Sequence, residues 1–251
     1  MIRPCTVVIS GKGGTGKTTI AALLIDALVA AGERPVLAVD ADPNTNLHEA
    51  LGIAVTETIG SVREEAFTRS IPPGMDRTGY VRYRFQRALA EAEGYDLLAM
   101  GRPEGQGCYC FPNALLAECI ETLERDYRFV VVDSEAGMEH IARGTVRNPD
   151  ILLITSDPGA RGMRTASRIR DLAESLGLSR DRISLVINRD RGDAAPGGDL
   201  PLVARIPEDP AIGDADLAGT PIIGIPATSP ARVAVKGLAE WLVRECARQK
   251  G

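Results

Sequence analysis

Residues 6–19 read Thr6-Val7-Val8-Ile9-Ser10-Gly11-Lys12-Gly13-Gly14-Thr15-Gly16-Lys17-Thr18-Thr19. A β-branched apolar run feeds a glycine-rich loop, and Ile20 to Ala31 continues with helical spacing. This strand–loop–helix order is the context that a phosphate-binding loop requires. The glycines let successive N–H groups curl into a nest around phosphate oxygens. Lys17 is placed to reach the β- and γ-phosphates and the Thr18 hydroxyl to ligate Mg²⁺, while the helix turns its positive end toward the same anion. Gly11, Gly13, Gly14, Thr15, Gly16, Lys17, Thr18 and Thr19 are therefore candidate ligands of a nucleoside triphosphate.

Outward from this loop, short apolar runs alternate with helical patterns. The runs predict strands over Thr6–Ser10, Pro35–Asp40, Leu97–Met100, Phe129–Asp133, Ile151–Thr155, Ile183–Asn188 and Leu202–Ile206. Helices are predicted over Lys17–Ala31, Val81–Ala92, Pro112–Arg125, Gly162–Leu176 and Pro230–Arg248. Gly32, Gly177 and Gly251 follow three of these helices, where a left-handed cap is wanted. Strands apolar on both faces suit a buried, mostly parallel sheet. The expected fold is a single α/β domain over residues 1–251, doubly wound, with ligands at the carboxyl ends of the strands. Residues 190–199, with three glycines and a proline, read as a flexible loop within it.

Composition limits the partners. At 251 residues and 44% hydrophobic, the chain is long enough for one large core. The formal net charge of −5 disfavours nucleic acid as the main partner. No leader-like or membrane-spanning run is evident, so a cytoplasmic location without stable membrane association is expected. The five cysteines are odd in number and read as thiols rather than as a disulfide framework. Cys5 is a candidate core residue on the first strand, Cys119 lies on a helix, and Cys246 falls near a frayed terminus.

The strand ends carry the chemistry. Asp40-Ala41-Asp42-Pro43-Asn44 closes the second strand, where two carboxylates suit Mg²⁺ and the orientation of an attacking water. The competing reading is that Asp42 or Asn44 caps the next short helix. Phe129-Val130-Val131-Val132 delivers Asp133, a second candidate for Mg²⁺. Gly137 follows it, and its N–H could reach a γ-phosphate and lose that bond after hydrolysis. Asn188 ends another strand, and its carboxamide matches the edge of adenine or forms a turn. Pro207-Glu208-Asp209 could close over the base. Cys108-Tyr109-Cys110, in a Gly- and Pro-rich loop over 101–111, offers two thiolates of the four that a soft metal such as Zn²⁺ or Ni²⁺ commonly takes. Two small apolar side chains in a turn is the bland reading of the same pair. His48 and His140 are lone histidines with supporting roles by default.

Lys12 is not required by the general loop pattern. Gly11-Lys12-Gly13-Gly14-Thr15-Gly16-Lys17-Thr18 resembles the deviant loop of a family of dimeric ATPases that includes the cell-division site-selection ATPase, plasmid-partition ATPases and the nitrogenase iron protein. That resemblance implies ATP/ADP as ligand and a homodimer with Lys12 reaching the partner's phosphates. It further implies Lys17 and Asp42 as catalytic residues, Asp133 as a magnesium residue acting through water, and Asn188 holding adenine. Cys108-Tyr109-Cys110 together with Asp133-Ser134-Glu135-Ala136-Gly137-Met138-Glu139-His140 is similar to the carbon monoxide dehydrogenase maturation ATPases, which are nickel-insertion accessory factors. The resemblance implies that Cys108 and Cys110 of two subunits share one Ni²⁺ or Zn²⁺ and that a nickel enzyme is the client. Maturation of acetyl-CoA synthase, or carriage of an iron–sulfur cluster, are the alternatives.

Overall fold

The computed structural model describes residues 3–62, 74, 77–101, 117, 120, 121, 123, 126–137, 148–192 and 199–250. Among these, eight strands form one sheet: β1 (Cys5–Gly11), β2 (Val36–Asp40), β3 (Leu89–Ala92), β4 (Tyr95–Ala99), β5 (Phe129–Asp133), β6 (Ile151–Ser156), β7 (Ile183–Asp190) and β8 (Leu202–Pro207). Their spatial order is β3-β4-β2-β5-β1-β6-β7-β8, parallel throughout except for β3 with β4. Helices among the described residues include α1 (Lys17–Ala30), α2 (Leu47–Leu51), α3 (Arg77–Ala88), α4 (Ala160–Ser175), α5 (Pro210–Ala218) and α6 (Pro230–Lys250). The expected α/β doubly wound architecture is the one observed.

The chain leaves β1 toward β2 on one side of the sheet and later fills β6, β7 and β8 on the other. This reversal leaves a crevice at the carboxyl end of β1, where ligands of open α/β sheets sit. Alternation along each strand feeds two cores. Val7 and Ile9 of β1, Val36 and Ala38 of β2, and Val131 of β5 face a layer built with α1, α2 and α6. Val8, Leu37, Val39, Val130 and Val132 face a second layer that includes Ala166, Ile169 and Ala173 of α4. Both faces are buried, which is why the strands read as unbroken apolar runs.

Two elements depart from the sequence reading. The helix expected over Val81–Ala92 stops at Ala88. Leu89–Ala92 instead pairs antiparallel with β4, across Glu93 and Gly94, whose φ of +86° suits a tight turn. Hairpin closure onto a buried sheet edge outweighs the helical spacing. The second departure is α5, over residues where the sequence analysis places no helix. Its signals are complete: Asp209 as N-cap, Pro210 in the first turn, and Gly219 left-handed at the end.

The expectation of five thiols is corrected. Cys5 and Cys246 form a disulfide, with their Cα atoms 6.0 Å apart. α6 packs on α1 and β8 and continues to Lys250, so Cys246 is buried beside the start of β1 rather than frayed. Cys108, Cys110, Cys119 and His140 lie outside the described residues. Alkylation of the unfolded, unreduced chain should label Cys108, Cys110 and Cys119 and spare Cys5 and Cys246. Cys246→Ser should lower the unfolding free energy by about 2–4 kcal/mol in denaturant titrations; equal midpoints with and without reductant would contradict this.

Candidate nucleotide-binding site

The loop between β1 and α1 is built for an anion. Gly16, at φ +86°, is the N-cap of α1, which has neither a side-chain cap nor an acidic residue in its first turn. The positive end of the helix and its free N–H groups are left for an outside ligand. A Cβ on Gly11 would run into the Thr155 carbonyl of β6, and one on Gly16 into Asn188 Nδ2. The loop is pinned by Thr15, whose N and Oγ1 both donate to the Lys12 carbonyl, at 3.3 and 2.8 Å. Lys17 is buried and points its ammonium back toward that carbonyl at 3.5 Å. The side chain of Lys12 is exposed, with no hydrogen bond or ion pair among the described residues.

Asp40 and Asp133 face each other in register at the ends of β2 and β5. Both are fully or almost fully buried. Burial pushes Asp40 up to about 7, reinforced by the neighbouring Asp133 charge. Burial likewise raises Asp133 to about 7, against the lowering pull of the Thr18 hydrogen bond and of Lys17. Their hydrogen bonds differ. Asp40 accepts from the N–H of Asp42 at 3.1 Å and of Leu47 at 2.9 Å, one on each oxygen. It thereby caps α2, whose own N-cap, Asn46, makes no side-chain bond. Asp133 Oδ2 accepts from Thr18 Oγ1 at 2.6 Å, while Oδ1 is buried without a partner. A hydroxyl beside an orphaned carboxylate oxygen is a hard-oxygen donor set that fits Mg²⁺.

Asp42 Oδ1 accepts from the N and Nδ2 of Asn44 at 2.8 and 2.9 Å. The loop then turns through Thr45 at φ +52°, an outlier for a β-branched residue. On the other side of the loop, the Gly137 N–H donates to the Gly11 carbonyl at 3.1 Å, and Ser10 Oγ donates to the Gly137 carbonyl at 2.6 Å. The N–H expected to meet a γ-phosphate is therefore occupied in this form.

A cleft of about 1090 Å³ runs from the loop over the start of α1, between β7–β8 and α2. Thr18, Thr19, Asn188, Pro207, Glu208 and Asp209 line it. Asn188 is buried, and its Nδ2 donates to the Thr15 carbonyl at 2.8 Å, tying β7 to the phosphate loop and leaving Oδ1 as an acceptor. Glu208 is paired with Arg191, which holds its carboxyl below the usual range. Asp209 is turned into the fold. Burial pushes its pKa up, but hydrogen bonds from Ser229, Ala231 and Ala211 bring its carboxyl below the usual range. It caps α5 and α6 together. Arg189 and His48 also line the cleft. The sequence reading did not single out Arg189, whose only local signal is its place beside Asn188. His48 is one of the two lone histidines expected in supporting roles.

Among the described residues no group of three or more His, Cys, Asp or Glu side chains could hold a metal ion, and no helix is long and apolar enough to cross a membrane. A model of the CobQ/CobB/MinD/ParA nucleotide binding domain matches residues 6–222. An uncharacterised ATP-binding protein of Methanocaldococcus jannaschii is 39% identical over 250 residues, 95% of this chain and 98% of the relative. The carbon monoxide dehydrogenase accessory protein CooC of Rhodospirillum rubrum is 33% identical over 243 residues, 85% of this chain and 87% of the relative. The septum site-determining protein MinD of Pyrococcus horikoshii, complexed with Mg-ADP, superposes with a TM-score of 0.73 at 26% identity, covering 100% of this chain and 99% of that one.

The buried carboxylates predict a pH dependence for the ligand-free protein. Asp133 titrates near 7 when folded and about 3.9 when unfolded. The native state therefore holds a proton that the unfolded chain releases, and stability falls as pH rises through that window. Thermal unfolding from about pH 4 to 8 should show this fall, and Asp133→Asn should make it shallower. An identical slope in the variant would contradict the assignment.

Proposed function

Because this chain belongs to the CobQ/CobB/MinD/ParA family of nucleotide-binding domains, we propose that it is an ATP-hydrolysing metallochaperone that dimerises on nucleotide and inserts nickel during maturation of a carbon monoxide dehydrogenase. The observation that carries this reading is the pairing of a phosphate loop bearing the exposed Lys12 with the Cys108-Tyr109-Cys110 motif, in a chain 33% identical to the accessory protein CooC.

In this reading Lys17 and the loop N–H groups bind the phosphates, and Asn188 Oδ1 accepts from the adenine amino group. Lys12, unengaged among the described residues of its own protomer, reaches the phosphates of the partner. Thr18 and Asp133 hold Mg²⁺, which when bound neutralises charge on the phosphate oxygens. Asp42 orients the attacking water. Asp40 serves Asp42 as a brace: its two oxygens fix the N–H of Asp42 and the start of α2. Closing onto a γ-phosphate requires Gly137 to exchange its bond to Gly11 for one to the nucleotide, and hydrolysis returns it. Cys108 and Cys110 of two protomers together give the four thiolates that a Ni²⁺ or Zn²⁺ substrate takes. Closure and metal capture are then linked, and each must strengthen the other.

Light scattering with metal analysis tests this. ATP should convert the chain to a dimer holding one nickel per two chains. Cys108→Ala with Cys110→Ala should abolish that nickel and leave ADP affinity unchanged; nickel retained at the same stoichiometry overturns the thiolate assignment, and a brown protein carrying iron and sulfide overturns the nickel reading. Asp42→Ala should lower kcat by about 10²-fold or more with ADP binding intact. Lys12→Ala should remove both ATP-dependent dimerisation and turnover while ADP still binds.

A further inference from the structure

β1 is apolar from Val7 to Ile9 and then carries a serine that is just as buried, 1% exposed. A hydroxyl taken out of water costs free energy unless it is bonded, and an apolar side chain would avoid that cost. Ser10 Oγ donates to the Gly137 carbonyl at 2.6 Å, while the N–H of the same glycine donates to the Gly11 carbonyl at 3.1 Å. Two consecutive residues at the end of β1 thus hold both backbone polar groups of one residue.

That residue ends a strap along the phosphate loop. The β1–β5 register closes at Ile9 and Asp133. Ser134 extends it, its N–H and Oγ both donating to the Ile9 carbonyl, at 3.2 and 2.8 Å. A regular parallel ladder would next bring the N–H of Ala136 to the Gly11 carbonyl. Gly137 arrives there instead, so residues 134–137 hold one residue more than the ladder needs. Ala136 lies beside the loop, its Cβ 3.8 Å from where a Cβ on Gly13 would stand. Gly137 itself sits at φ +94° with open space where a Cβ would go, so it is glycine for its backbone and not for want of room. The surplus residue gives the strap slack, and the bonds to Ser10 and Gly11 take that slack up.

We propose that Ser10 is a positioning residue that latches this strap to β1 in the nucleotide-free protein, so that ATP must displace the latch and ADP need not. The proposal rests on the reading that Gly137 turns to the γ-phosphate. A diphosphate ends short of that position and leaves both bonds in place. A triphosphate offers the Gly137 N–H a charged acceptor, which makes a stronger hydrogen bond than a carbonyl does. The gain is reduced by the Ser10 bond that is given up when Gly137 moves. Ser10 therefore lowers the preference for ATP over ADP, and it draws the strap back once phosphate has left.

Calorimetric titration of ADP and of a non-hydrolysable ATP analogue, each with Mg²⁺, into the full chain and its Ser10→Ala and Ser10→Thr variants tests this. Ser10→Ala should raise the preference for the analogue over ADP by about three- to tenfold, the worth of one hydrogen bond, and leave ADP affinity unchanged. Ser10→Thr keeps the hydroxyl and should keep the preference of the unaltered chain. An unchanged ratio in Ser10→Ala, or equal weakening of both nucleotides, would reduce Ser10 to a core residue and overturn the proposal. A lowered ratio would put the hydroxyl on the ATP-bound form and overturn it as well, as would a Ser10→Thr variant that behaves like Ser10→Ala. An unaltered chain that binds both nucleotides equally and stays monomeric with each would instead overturn the γ-phosphate reading, and the latch with it.

Discussion

Two carboxylates set side by side out of water are the constraint around which the site is organised. Asp40 and Asp133 are neighbours across β2 and β5, and each faces a large desolvation penalty if ionised. The fold meets that cost in two different ways. Asp40 spends both oxygens on backbone N–H groups and becomes part of the scaffold. Asp133 keeps one oxygen without a partner, and an orphaned buried acceptor waits for a cation or a proton. The same sheet position thus yields a structural acid on one strand and a ligand-seeking acid on the next.

The phosphate loop leans on the same arrangement. Thr18 is bonded to Asp133, Thr15 to Asn188, and Gly11 to Gly137, so the ends of β5 and β7 and the segment after Asp133 each touch the loop. Each of these contacts involves an atom that the nucleotide reading also needs or that lies next to one. The loop is thereby tied directly to β5, β7 and the segment after Asp133.

Local chemistry was legible in the sequence where the signal is local. The loop from Gly11 to Thr19 needs only its own glycines and the strand before it. Asp133 was legible because an apolar run delivers it. Asn188 was half legible: its place at a strand end pointed to the site, but its bond to the Thr15 carbonyl depends on β7 packing beside the loop. The role of Asp40 as a cap for Leu47 was hidden, because it depends on how the six-residue loop 41–46 turns through a left-handed Thr45. Asp209 has a role that its sequence neighbourhood did not show: it lines the cleft, and its carboxylate is also engaged by Ser229 and Ala231 at the start of α6. Leu89–Ala92 had helical spacing, and only the presence of β4 across a tight turn made it a strand.

The disulfide between Cys5 and Cys246 has a topological consequence. It joins residues 241 apart in sequence, so the whole nucleotide-binding machinery lies on one covalent ring. A single cut anywhere in that ring opens it without releasing a fragment, and the two pieces stay attached until the sulfur–sulfur bond is reduced. Surface loops of this molecule can therefore be nicked by a protease while the chain keeps its mass under non-reducing conditions.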